Sequence, residues 1–161
     1  MTAPLDAREQ RLWHAWKAAS EHVRQRVADE IKAGTGLSDP DFGILTRLVE
    51  LGDGELRQND LGASMHWHRS RLSHQLTRME ERGLLSRHGV DGGVLVRITA
   101  EGSELVGAAR PIHAAAVREH LLAHTDGIEP AVLLHVLEQL AGPGVAPFQT
   151  DRRPGAPRPL D

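Results

Sequence analysis

Ser70, Arg71, Ser73, His74, Thr77 and Arg78 fall in one sector of a helical wheel drawn over His68 to Arg82. Leu72, Leu76 and Met79, spaced i, i+4, i+7, fall in the opposite sector and face a core. Arginine bonds bidentately to guanine N7 and O6, while hydroxyls and imidazole reach base edges or phosphates, so the polar face suits a major groove of duplex DNA. Arg69 begins the same helix; Arg57 and Gln58 lie just upstream, at the start of a short helix. Arg87, His88 and Arg97 fall on strands of a following hairpin, where they can meet phosphate or the minor groove. On its own, such a helix is equally well a solvated surface face.

The order of the elements favours the DNA reading. A short helix, Arg57 to Met65, turns Leu61 and Met65 inward, and a three-residue turn leads into the second helix. Gly83 supplies the left-handed position that ends that helix, Leu84 and Leu85 begin a strand, and Val94, Val96 and Ile98 alternate with Leu95 and Arg97 along a returning strand. Gly89 to Gly93 is expected to form a flexible tip. This pattern predicts a winged helix-turn-helix: mainly α, with a small β-hairpin wing, flanked by long N- and C-terminal dimerisation helices.

The flanks carry apolar stripes. Leu12, Trp16, Val23, Val27 and Ile31 recur at helical spacing along a first helix from Leu5 to Lys32, which Gly34 and Gly36 should stop. Ser38 caps the next helix, with Asp39 and Pro40 in its first turn and Phe42, Leu45, Leu48 and Val49 inward, until Gly52 and Gly54 break it. Beyond the wing, Thr99 caps a helix running to His124, which Pro111 should kink or split. A last helix, Glu129 to Leu140, bears Val132, Leu133, Val136, Leu137 and Leu140. The chain thus divides into an N-terminal dimerisation helix (1–37), a DNA-binding domain (38–99), C-terminal dimerisation helices (100–141) and a disordered tail rich in proline, glycine and arginine (142–161). Terminal stripes too long for one small core predict a two-fold homodimer on a pseudo-palindromic operator.

Composition narrows the classes. The 161 residues carry a formal net charge of −3, yet from His66 to His88 there are five arginines against two glutamates, so the positive field is local. Without cysteine there is no disulfide, thiolate metal cluster or thiol-based oxidant switch. The polar start, Met1 to Asp6, and the amphipathic pattern of Leu12 to Val27 do not resemble a secretory signal. No apolar run approaches the ~20 residues that span a bilayer, so a cytoplasmic protein without membrane association is expected. Nucleophile elbow, P-loop and dinucleotide fingerprint are all missing, which argues against an enzyme and for no cofactor.

Over about residues 8 to 141 the chain resembles the MarR family of transcriptional regulators. The likeness is carried by WHAW at Trp13 to Trp16, by LRQNDLGASMHWHRSRLSHQLTRMEERGLLSR, and by VRITAEG closing the wing. It implies a triangular homodimer that represses, or occasionally activates, a nearby promoter and is released by a small, often aromatic, ligand. Family members commonly carry Asp-x-Arg at the wing tip, with the arginine in the minor groove. Here the tip reads Val90, Asp91, Gly92, Gly93, without arginine. That departure leaves the wing only phosphate contacts through Arg87 or Arg97.

In such a dimer the cleft between long helices and winged domain is the expected effector site, lined here by Trp13, Trp16, His22, Met65 and His66. The plainer reading has both tryptophans filling the dimer interface. No metal is expected. A weaker alternative is a zinc-responsive regulator of the same fold, with His120 and His124 four apart on one helix and His113 two turns behind. A winged helix that docks on protein rather than DNA is the other alternative.

Overall fold

In the computed structural model, whose described residues are 3–142, the first helix, α1, spans Ala7–Thr35. It starts two residues later than the apolar stripe suggests. Asp6 accepts from the Arg8 and Glu9 N–H groups while Glu9 returns a bond to the Asp6 N–H, a capping box that sets the boundary. Gly34 does not stop the helix; it lies inside it, where the missing Cβ admits Ile112. Gly36, at φ 74°, is the residue that ends it.

Helix α2, Asp39–Gly52, opens with a second capping box between Ser38 and Asp41. A strand not expected from the sequence follows: β1, Glu55–Arg57, so Arg57 closes a strand rather than opening a helix. Three residues are too few to show alternation, which is why the sequence pattern hides it. Helices α3, Gln58–Met65, and α4, Arg69–Glu81, are joined by His66, Trp67 and His68, with His66 left-handed at φ 52°. Past α4, the Leu84 N–H bonds to the Met79 carbonyl and the Gly83 N–H to that of Glu80, the Schellman arrangement expected of Gly83 at φ 72°.

Strands β2, Leu85–Val90, and β3, Gly93–Ile98, form the wing, and β1 joins its other edge in the order β1-β3-β2, all antiparallel. Pairing persists to Val90↔Gly93 and Glu55↔Arg97. Only Asp91 and Gly92 remain for the turn, so the expected five-residue flexible tip is a tight one, closed by Gly92 at φ 82°.

The core sits where these elements meet: Ile44, Leu45 and Leu48 of α2, Leu61 of α3, Leu72, Leu76 and Met79 of α4, and Leu84, Leu85 and Val96 of the wing, all at most 2% exposed. Each such side chain contributes about 1.5–3 kcal/mol on burial, which fixes α4 by its apolar face and leaves the other outside.

Helix α5 spans Ala100–His120, capped by Thr99, whose Oγ1 accepts from the Gly102 N–H. It runs through Pro111 without splitting. Gly107 and Pro111 both lie on its exposed side, so water can satisfy the carbonyl that proline leaves without a donor. The helix ends at His120 rather than His124, and Leu122–His124 is a separate 3-10 turn. The second half of α1 packs along α5, with Ile31 buried and Val27 against the core.

Among the described residues, 3–124 form one compact unit. The second, from Thr125, holds helix α6, Pro130–Ala141, along which Val132, Leu134, Val136 and Leu140 are exposed. The expected disordered tail, with Arg152, Arg153 and Arg158, falls beyond Gly142, outside the described residues.

Candidate nucleic-acid interface

Helix α4 is anchored by a polar network as well as by its leucines. Asp41, 1% exposed on α2, accepts from Gln75 Nε2 at 2.7 Å through Oδ1; its Oδ2 accepts from an Arg82 N–H at 2.7 Å and from the Ser38 N–H at 3.0 Å. Burial pushes the Asp41 carboxyl up. The Ser38 N–H and hydroxyl and the Arg82 guanidinium outweigh it and hold the group below the usual carboxylate range. Gln75, itself buried, turns its Oε1 outward, where it accepts from Arg78. Neither Asp41 nor Gln75 was a sequence candidate.

On the outer face of α4, Arg69, Ser70, Arg71, His74 and Arg78 are exposed, with Ser73 and Thr77 half-buried beside them. The Arg71 guanidinium lies over the Trp67 ring at 4.0 Å, a cation–π contact that steadies it at the start of the helix. Thr77 is committed within the protein: its hydroxyl donates to the Ser73 carbonyl and accepts from Arg87 at 3.0 Å.

The wing arginines are also engaged. Arg87 bonds to Glu80 through Nε at 3.0 Å, through a terminal nitrogen at 2.7 Å and through its backbone N–H at 2.9 Å, clamping β2 to α4. These contacts hold the Glu80 carboxyl below its usual range. Arg97 pairs with Glu55 at 2.8 Å across β1 and β3, and exposed His88 meets Ser86 Oγ at 3.0 Å. The cation at the wing tip comes from another strand. Arg57 donates to the Asp91 carbonyl at 3.1 Å, beside Gly92. Gln58 lies one residue on, in a cleft with Asn59, Arg69 and the wing residues Gly92, Gly93 and Val94.

No family model and no curated protein matches the chain. Solved structures do. AbsC, a MarR family transcriptional regulator from Streptomyces coelicolor, is 29% identical with a TM-score of 0.77, the match covering 87% of this chain and 96% of AbsC. Sco3205, a MarR family transcriptional regulator from the same organism solved in complex with DNA, is 26% identical with a TM-score of 0.78, covering 88% of each chain. The chain has the winged helix fold of these MarR family regulators. CouR from Rhodococcus jostii RHA1, bound to p-coumaroyl-CoA, shares the fold at 23% identity and a TM-score of 0.64, covering 80% of this chain and 88% of CouR.

In this chain the residues expected around an effector lie apart. Trp13, Trp16 and His22 are exposed on the first half of α1, Met65 packs on the core beside Gly43, and His66 is exposed in the turn before α4. They do not form a common pocket within the described chain, since a stripe facing outward needs a second surface to enclose anything.

The three histidines of the zinc alternative lie apart as well. The His113 ring packs on Phe42 with centroids 5.3 Å apart, His120 Nε2 pairs with Glu30 Oε1 across α1 and α5, and His124 is exposed in the 3-10 turn. The i, i+4 spacing fails because the α-helix ends between its two members. Glu30, Glu119 and His120 do bring ligand atoms within 4.8 Å of one another, but the imidazole nitrogen there already serves the hydrogen bond that ties α1 to α5. No helix among the described residues is long and apolar enough to cross a membrane.

Proposed function

We propose that the protein is a sequence-specific DNA-binding transcriptional regulator, a repressor that acts as a homodimer on a pseudo-palindromic operator and leaves it on binding a small effector. The observation that carries this reading is the outer face of α4. Arg69, Ser70, Arg71, His74 and Arg78 stand exposed on a helix whose other side is locked by Leu72, Leu76, Met79 and the Asp41 network. A rigid helix offering bidentate donors is what major-groove reading requires. Arg57, Arg87 and Arg97 supply backbone and wing contacts beside it, in the way that phosphate contacts fix register. Sco3205 supports the DNA partner, having been solved with DNA.

Dimerisation is supported by the first half of α1, where Leu12 is 73% exposed and Trp13 and Trp16 about half exposed. An apolar strip of that length on a lone helix calls for a partner surface. The effector would lie where that partner closes over Trp13, Trp16 and His22, and the coenzyme A thioester held by CouR supports ligand-controlled release within this fold.

Gel shifts with the gene's own upstream region, alongside random duplex, test the function. Retardation of the upstream duplex at a salt concentration that releases random DNA is expected. Dimeric protein that shifts neither duplex at low salt would overturn the reading and leave a protein-docking winged helix.

A further inference from the structure

The proposed function leaves one buried polar side chain unused. Gln75 sits on the inward flank of α4, within the same arc as Leu72, Leu76 and Met79, and is 6% exposed. Its Nε2 donates to Asp41 Oδ1 at 2.7 Å and its Oε1 accepts from Arg78. The direction of this chain of bonds is dictated by chemistry. An ionised carboxylate only accepts, so the amide must turn its NH2 group toward Asp41 and its oxygen toward solvent. There the oxygen can hold only a donor, and Arg78, one turn on, provides it. Asp41 is itself immobile, with its second oxygen taken by Arg82 and the Ser38 N–H at the start of α2.

We propose that Gln75 is a positioning residue for base recognition: oriented by Asp41, its amide holds Arg78 in the pose from which Arg78 reads a base edge. An arginine side chain free to rotate near a duplex collects at phosphates, which carry no sequence information. A guanidinium with one N–H already committed to a fixed amide loses less conformational freedom on binding and presents its remaining donors in one direction. Base preference at the position facing Arg78 is then set from α2, two residues removed from the DNA. This inference rests on the DNA-binding reading and names a residue that makes no DNA contact itself.

The test is a double-mutant cycle on the full-length dimer, with a duplex selected by the wild-type protein from a random pool and an unselected duplex as the two probes. Gln75→Met keeps the length and burial of the side chain but removes both hydrogen bonds. It should lower the ratio of selected to unselected affinity about tenfold while leaving affinity for the unselected duplex and its salt slope unchanged. In an Arg78→Ala background the same change should have no further effect. Gln75→Asn, an amide too short to span both partners, is the second variant if Gln75→Met fails to fold, with the same expectation. Thermal melts of each variant establish that it is folded at the assay temperature. An unchanged affinity ratio, or an equal loss in the Arg78→Ala background, overturns the positioning role. A wild-type protein that enriches no duplex overturns the DNA-binding reading, and the positioning role with it.

Discussion

Gln75 of α4 donates to the buried carboxylate of Asp41 on α2 at 2.7 Å, across 34 residues of sequence. Through this bond and the neighbouring Arg82–Asp41 ion pair, α4, the helix proposed to meet DNA, is fixed against α2. Arg82 also reaches the Gly36 carbonyl at 3.4 Å, at the end of α1 itself. A displacement of α1 by a partner or ligand therefore bears on the Asp41 network directly.

Asp41→Ala leaves Gln75 without its acceptor and Arg82 without its counter-ion, and should cost about 2–3 kcal/mol of stability, read from thermal or denaturant melts. The carboxyl is held below its ordinary value in the fold, so its contribution is complete above the unfolded pKa of about 3.9 and is lost as pH falls through the lower folded value. Wild-type protein should lose stability below about pH 4. Asp41→Asn, with no charge to lose, should be less stable at neutral pH and show a shallower loss in that acid range.

Arg57 carries the cation at the wing tip. Arg57→Ala should reduce the slope of log K against log salt by about one per subunit, with similar losses on selected and random duplex if the contact is to phosphate. An unchanged slope would show that its bond to Asp91 serves the hairpin alone.

Gly102, buried in the first turn of α5, has no room for a side chain. A Cβ there would overlap the Leu84 carbonyl oxygen, which is backbone and accepts from the Thr99 N–H. Gly102→Ala should destabilise the wing–α5 junction by about 3 kcal/mol, measured as a fall in melting temperature.

Leu12→Glu combined with Trp16→Glu places two charges on the exposed strip of α1, 73% and 43% exposed in the single chain. If that strip is the dimer surface, light scattering should report a monomer that stays helical by circular dichroism. A dimer that persists would move the interface elsewhere.

Much of this fold is legible in the sequence because local rules and the core agree. The i, i+4, i+7 spacing of Leu72, Leu76 and Met79 and the left-handed Gly83 mark α4 and its end, and both hold. What escaped depends on contacts distant in sequence. Arg57 reads as helical because three residues of strand carry no period, and only pairing with β3 makes them one. Pro111 reads as a breaker, yet it lies on the exposed side of α5, where water can take the lost bond. Asp41 goes unremarked in the sequence, although its spacing from Ile44, Leu45 and Leu48 puts it on the buried stripe, and Gln75 stands in the same relation to Leu72 and Met79. A polar residue in register with a core stripe was the signal for the network. Arg87, read as a wing contact, also bonds to Thr77 and Glu80 of α4, which no wheel of a single helix can show.

The most direct test of the account is the affinity of Arg71→Ala for a selected duplex and for random duplex, measured side by side at one salt concentration. If α4 reads bases in the major groove, the substitution costs about 1–3 kcal/mol on the selected duplex and far less on the random one. Equal losses on both, or none on either, would contradict base recognition by this helix.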